Sequence, residues 1–312
     1  MKGLLKTYNK LSNFGKILLF IALLLAVIVF FKSVMQKGDG VSREGYEQND
    51  QFSFKRGAEV YDDFYATIYD YLVFNEMKND FEISQIIGQT KPSAESVILD
   101  VGSGTGHHVA RLSEKGYKAI GLDISPSMVK EAKTKFPEYA SKFKVGDASK
   151  LSEFHNNSFT HILCMYFTIY YLKDKRQFFN NCMDWLMPGG CLILHVVDRA
   201  KFDPILPPGN PLYIVSPQKY AKERITKTKV TFNEFVYNSN FSLDESKDKA
   251  VFEEKFKFND GKVRKQEQVL YMEDSEDIIS KATDAGFVIQ GKIDLVKCAY
   301  EYQFLYILVK PA

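Results

Sequence analysis

Little in this sequence points to a metal centre, a disulfide frame or a nucleic-acid surface. It has only four cysteines, Cys164, Cys182, Cys191 and Cys298, scattered without metal-ligand or redox-pair spacing. They read as buried thiols and suit a reducing compartment, and no metal site is expected. Charge of neither sign dominates. A net +2 gives no general reason to expect nucleic-acid binding, although a local phosphate-binding patch stays open. No internal repeat or low-complexity tract is present, and glycine and proline are ordinary in number. With aromatics at 14%, the 312 residues are expected to pack as one large domain, or as one domain with an appendage.

One long hydrophobic run stands out. Residues 17–31, ILLFIALLLAVIVFF, are apolar without interruption and are bracketed by Lys16 and Lys32. Fifteen residues fall short of the roughly 20 that a full span needs. Phe14 and Met35 extend the run, and the lysines can snorkel, so residues 14–35 read as a single-pass transmembrane helix with the bilayer as partner. The rival readings are a signal peptide, for which no small-x-small cleavage site follows, and a buried helix, for which the run is too apolar on all faces. Lys2, Lys6, Lys10 and Lys16 favour an inside N-terminus, whereas the free thiols favour the opposite topology. The expected organisation is a basic tail at 1–13, the span at 14–35, a polar linker at 36–57 and a domain at 58–312 with an insert at about 218–273.

The domain is organised around residues 97–125, VILDVGSGTGHHVARLSEKGYKAIGLDIS. An apolar strand meets Asp100 and then Gly102, Gly104 and Gly106, which suit positive backbone angles and close approach to a ligand. A helix from His108, a stop at Gly116 and a second strand ending at Asp123 complete half of a nucleotide-binding β-α-β unit. Asp123 at a strand tip is placed to accept two ribose hydroxyls. A dinucleotide site and a purely structural turn are the alternatives. Asp100 weighs against the first, because an acid beside the glycines would repel a pyrophosphate but pair with an ammonium. That favours a cationic, phosphate-free ligand.

This pattern of an acid, Gly-x-Gly-x-Gly and a second acid ending the next strand resembles the class I S-adenosylmethionine-dependent methyltransferases. The resemblance continues along the chain: Ile124 follows the second acid, Gly146-Asp147-Ala148 ends the next strand, and a helix, Met187-Pro188-Gly189-Gly190 and a strand come later. It implies a Rossmann-like α/β fold with a seven-stranded, mostly parallel sheet, an antiparallel last strand, helices on both faces and a small antiparallel insert. It also implies S-adenosyl-L-methionine as cofactor. By the resemblance, Gly102, Ser103, Gly104 and Gly106 with Asp100 would hold the methionine part, Asp123 the ribose, Ile124 the adenine face, and Asp147 and Ala148 the adenine edge. Cys164 would line the methionine part, while Tyr61, Tyr65 and Tyr69, on a helix read over 58–87, would form a lid over the cofactor. Core packing remains the alternative for that aromatic stripe, and capping of a short helix the alternative for Asp147.

The implied reaction is methyl transfer to a small acceptor, hydrophobic or membrane-associated given the span. Tyr166, Tyr170, His195 and Asp198 are candidates to orient or deprotonate it, without forming an evident acid–base pair. The family commonly carries an acid where His161 stands, so no role is carried to that position. Three alternating runs at 230–243, 250–258 and 262–272, two of them joined by Asn259-Asp260-Gly261, read as the insert above the acceptor. The rival functions are a nucleotide-dependent oxidoreductase, a protein methyltransferase and a non-catalytic scaffold subunit.

Overall fold

The computed structural model describes Lys16, residues 52–209 and residues 216–312. The tail, the span expected at 14–35 and the linker up to residue 51 lie, apart from Lys16, outside the described residues. Among the described residues no helix is long and apolar enough to cross a membrane.

The described chain begins with strand β1 (Phe52–Arg56), a 3₁₀ turn, and helices α1 (Asp63–Val73) and α2 (Glu76–Thr90). Strand β2 (Val97–Val101), helix α3 (His107–Glu114), strand β3 (Lys118–Asp123) and helix α4 (Pro126–Lys135) form the expected β-α-β unit. Strands β4 (Phe143–Val145) and β5 (Phe159–Cys164), helices α5 (Thr168–Tyr171) and α6 (Lys175–Trp185), and strand β6 (Leu186–Val197) follow. The insert supplies β7 (Lys227–Thr231), β8 (Phe235–Asp244), β9 (Lys249–Phe258) and β10 (Val263–Tyr271). Helix α7 (Ser275–Asp284) and strands β11 (Val288–Asp294) and β12 (Gln303–Val309) close the domain.

The main sheet has the order β11-β12-β6-β5-β2-β3-β4. Strands β2 to β6 pair in parallel, and β12 runs antiparallel to both its neighbours, as the sequence led us to expect. Its central strands are apolar on both faces because helices cover both. In β2, Ile98 packs with Ile83 and Ile86 of α2 and Val109 and Leu112 of α3, while Leu99 and Val101 pack on the opposite side with Phe178, Phe179 and Trp185 of α6. The chain leaves β2 toward β3 on one side and β5 on the other. The crevice at the carboxyl end of β2 is therefore the topological switch point, where open α/β sheets collect ligands.

The second sheet has the order β1-β10-β9-β8-β7. Strand β1 joins it in parallel to β10, so residues 52–56, read from the sequence as linker, are structural. Two buried cations fasten this layer down. Lys175 pairs with Glu273 at 2.5 Å, and Arg199 contacts Asp248 at 2.5 Å and Asp274 at 2.9 Å.

Three local expectations are corrected. The helix read over 58–87 is two helices, because Phe74 takes an extended conformation and the Asn75 side chain caps α2 through the Lys78 amide. The run at 230–243 is two strands, reversed where the Phe232 amide bonds the Phe235 carbonyl at 2.9 Å. The Pro-Gly-Gly turn is absorbed into the start of β6, where Gly189 N–H donates to the Lys310 carbonyl at 2.9 Å.

Gly106 stands in a positive-φ conformation (+88°), and a Cβ built there would lie 2.6 Å from the Phe143 ring and 3.0 Å from Ala132. Gly106→Ala should combine backbone strain with overpacking and destabilise the domain by about 2 kcal/mol or more, read as a lower midpoint in urea denaturation.

Candidate active site

The glycine loop owes its shape to the strand beside it. Gly102 N–H donates to the Leu122 carbonyl at 2.8 Å, and Gly104 N–H donates to Oδ2 of Asp123 at 2.9 Å. The other Asp123 oxygen accepts from Ser125 N–H at 2.9 Å, so a single carboxylate fixes both the loop and the start of α4. Burial raises its pKa, and these two amides pull it back.

Helix α1 closes over the loop, held from both layers. From below, Asp70 accepts from Thr105 Oγ1 at 2.5 Å, lies 2.7 Å from Nε2 of His107 and pairs with Lys135. Burial would raise the Asp70 carboxyl, but His107, Lys135 and Thr105 together hold it at about 2. The His107 ring is itself stacked on Phe74, 3.7 Å between centroids. From above, buried Arg264 of β10 donates to both oxygens of Asp62 at 2.8 Å and to the Val60 carbonyl at 2.9 Å.

Between the layers lies a cavity of about 480 Å³. One wall is the carboxyl edge of the main sheet: Gly102, Gly104, Asp123, Ile124, Asp147 and Ala148. The opposite wall is mostly apolar, with Phe202, Ile205 and Leu206 from the segment after β6 and Phe241, Phe252 and Leu270 from the second sheet. Tyr61, Tyr65, Tyr69, Tyr166 and Tyr171 lie on its border, and no lysine, arginine or histidine is among its described lining. Ile124 is 58% exposed, an apolar side chain left open toward this space. A smaller adjoining cavity of about 90 Å³ reaches Asp100, Ser103, Lys78, Glu82 and Tyr166. There Oδ1 of Asp100 and Oγ of Ser103 are buried without a hydrogen-bond partner among the described residues. Burial pushes the Asp100 carboxyl up to about 6, with Asp123 and Glu82 adding to the rise against His108.

Of the residues expected on the cofactor, the structure gathers Tyr65, Tyr69, Asp100, Gly102, Ser103, Gly104, Asp123, Ile124, Asp147 and Ala148 around these two cavities. Two are corrected. Gly106 is turned into the packing between β4 and α4. Cys164 is fully buried in the core, where burial drives its thiol pKa upward.

Among the catalytic candidates only Tyr166 borders the cavities, with a left-handed backbone (φ +51°). The other three are corrected. Tyr170 is buried and its hydroxyl accepts from Val197 N–H at 2.8 Å. Asp198 accepts from Ala200 N–H at 3.1 Å and pairs with Lys201, organising the turn after β6. His195 is fully buried, and burial followed by the nearby Lys78 pushes its pKa down to about 4. Nδ1 lies against the Tyr166 carbonyl, and Nε2 lies 3.0 Å from Oε1 of Gln303. His195 therefore supports the unusual backbone of Tyr166 instead of facing the cavity.

Sequence reasoning missed Glu254 and Gln268. The signal was available: both fall on the inward side of alternating strands, among Phe252, Phe256 and Leu270.

A methyltransferase-domain family profile matches residues 98–190. A dTDP-4-amino-2,3,4,6-tetradeoxy-D-glucose N,N-dimethyltransferase of Saccharopolyspora spinosa is 30% identical over 150 residues, covering 46% of this chain and 58% of the relative. A demethylmenaquinone methyltransferase of Chlorobaculum parvum is 34% identical over 108 residues, covering 34% and 42%. The chain thus spans about half the length of these curated relatives. Among solved structures, an S-adenosylmethionine-dependent methyltransferase from Clostridium acetobutylicum superposes with a TM-score of 0.60 at 20% identity, covering 80% of this chain and 98% of that one. A sugar N-methyltransferase from Streptoalloteichus gives 0.56 at 20% identity, covering 88% and 98%. At these identities the structural likeness shows a shared fold. The carboxyl-edge site lies within the matched residues: residues 98–190 match a methyltransferase domain, and both curated relatives are named as methyltransferases.

Proposed function

We propose that the protein transfers a methyl group from S-adenosyl-L-methionine to a small acceptor with an apolar body. The observation that carries this reading is the shared cavity, whose one wall is the glycine and carboxylate edge of the main sheet and whose other wall is apolar. Enclosure between two layers suits a small molecule better than a protein chain. The relative named for demethylmenaquinone methylation supports an apolar acceptor, and both relatives are named for small molecules.

The residues present fit the cofactor. Two orphaned polar atoms, on Asp100 and Ser103, await partners in the smaller cavity, and acids without basic residues line the larger one. Such a set suits a cation and disfavours a pyrophosphate. In this reading Asp100 and Ser103 hold the amino group, Asp123 the ribose hydroxyls, Ile124 one face of the adenine, and Asp147 and Ala148 its edge. When bound, the cofactor supplies an electrophilic methyl group. The chain supplies alignment and exclusion of water, with α1 clamped over the loop through Asp70 and Arg264. Tyr166 borders both cavities and is the residue best placed to orient the acceptor. The apolar run at 17–31 supports attachment to a bilayer as a single-pass membrane protein, with the domain beside lipid-soluble acceptors.

Incubating the full-length protein with methyl-labelled S-adenosyl-L-methionine and a small-molecule extract should move label into that fraction. Label appearing only in protein would favour a protein methyltransferase, and no transfer by a cofactor-binding protein would favour a scaffold role. A second expectation follows from Asp100. Its carboxylate is ionised above about pH 6, so affinity for the cofactor should fall below that pH by up to about tenfold per unit. Asp100→Asn should weaken binding at neutral pH and flatten this slope in calorimetry between pH 5 and 8.

A further inference from the structure

Glu254 of β9 is 2% exposed and has no cationic partner among the described residues. Instead it gathers four neutral side chains. Tyr65 Oη lies 3.1 and 3.0 Å from its two oxygens, Tyr237 Oη donates at 2.8 Å, Gln266 Nε2 at 2.6 Å and Gln268 Nε2 at 3.1 Å. Burial raises the pKa of the Glu254 carboxyl, and the four donors pull it back toward the ionised form.

Because the Glu254 oxygens accept from all four neighbours, the hydrogen bonds beyond them are set in direction. Gln268 gives its amide nitrogen to Glu254, so its oxygen faces the cavity side, where it accepts from Tyr61 Oη at 3.0 Å and from Tyr171 Oη at 2.5 Å. The protons of both hydroxyls are thereby committed toward Gln268, and what they offer a ligand is oxygen lone pairs. Around them the rings cluster: Tyr61 lies 5.6 Å from Tyr65, 6.5 Å from Tyr69 and 6.0 Å from Tyr171. Lone pairs, ring faces and a buried carboxylate all attract positive charge, and Tyr61, Tyr65, Tyr171 and Gln268 border the cavity.

Resting on the methyltransferase reading, we infer that the acceptor is an amine, held with its nitrogen at the Tyr61–Tyr171–Gln268 cluster and its carbon skeleton against Phe241, Phe252 and Leu270. The chemistry agrees with a described cavity lining that holds no histidine or lysine. A hydroxyl acceptor must surrender its proton to a base during transfer. An amine that enters as an ammonium releases one proton to solvent first; its lone pair then becomes the new N–CH₃ bond, the electrons of the broken S–CH₃ bond remain on sulfur, and the methylated nitrogen, now cationic, sheds a second proton to solvent afterwards. Positive charge therefore develops on nitrogen as the bond forms, and Glu254 acts as a positioning residue that stabilises it through Gln268 and the tyrosines.

The test uses the full-length protein with S-adenosylhomocysteine bound, titrated by calorimetry with cyclohexylmethylamine and with cyclohexylmethanol as neutral counterpart. The amine should bind at least tenfold tighter than the alcohol. Glu254→Gln should cost the amine at least tenfold and the alcohol less than twofold, and Tyr171→Phe should weaken the amine selectively without burying an unpaired group. Equal binding of amine and alcohol by the wild-type protein, or equal losses for both in Tyr171→Phe, would overturn the inference. Should Glu254→Gln fail to fold, Tyr171→Phe decides alone. Calorimetry with S-adenosyl-L-methionine separates the two levels: loss of amine preference with cofactor binding intact defeats only the amine assignment, whereas no cofactor binding defeats the methyltransferase reading itself.

Discussion

A continuous line of polar contacts between a half-buried acid and a buried one holds the two layers in register. Asp123, at the tip of β3, fixes the glycine loop and accepts from the Ser125 amide. The Ser125 hydroxyl donates to the Tyr61 carbonyl at 2.7 Å, Tyr61 donates to Gln268, and Gln268 donates to Glu254 on the second sheet. Each member satisfies a group that would be costly to bury alone, so removing one leaves its neighbour unpaired. The line passes along the cavity wall, and the position of the roof over the cofactor edge depends on it.

Helix α1 gains its place from the same logic. Its first turn is tied by Arg264 to the second sheet, and Asp70, near its end, is tied to the glycine loop and α4 through Thr105, His107 and Lys135. These polar ties at both ends fix the helix while Phe64 packs on Phe235, Phe256 and Phe258 of the second sheet. Its tyrosines are then free to serve the cavity. Tyr65 does both, packing in the core of the second layer while its hydroxyl meets Glu254.

The main sheet was legible in the sequence because its signals are local. Apolar strands, glycines at positive φ and acids at strand tips follow each other within a few residues, and Asp100, Asp123 and Asp147 could be placed by counting. The catalytic candidates were less legible because strand position says where a side chain emerges, not what it meets. His195 and Tyr170 emerge near the functional end, yet His195 is spent on the Tyr166 carbonyl and Gln303, and Tyr170 on the Val197 amide. Gly106 fitted the glycine spacing of its neighbours, but its partner is Phe143, thirty-odd residues away. Strand β1 read as linker because nothing local distinguishes a strand whose partner, β10, lies more than 200 residues on. Glu254 is a case of a different kind, an acid on the buried side of a strand pattern, whose meaning emerged only when four donors from β8, β10 and α1 converged on it.

The central claim is that the cofactor lies between the carboxyl edge of the main sheet and α1, within the cavity that also receives the acceptor. Hydrogen–deuterium exchange of the full-length protein with and without S-adenosyl-L-methionine tests this most directly. The account predicts protection concentrated in residues 101–106, 122–128 and 146–148 and in α1. Cofactor binding without protection of these segments, or with protection confined to other parts of the domain, would contradict it.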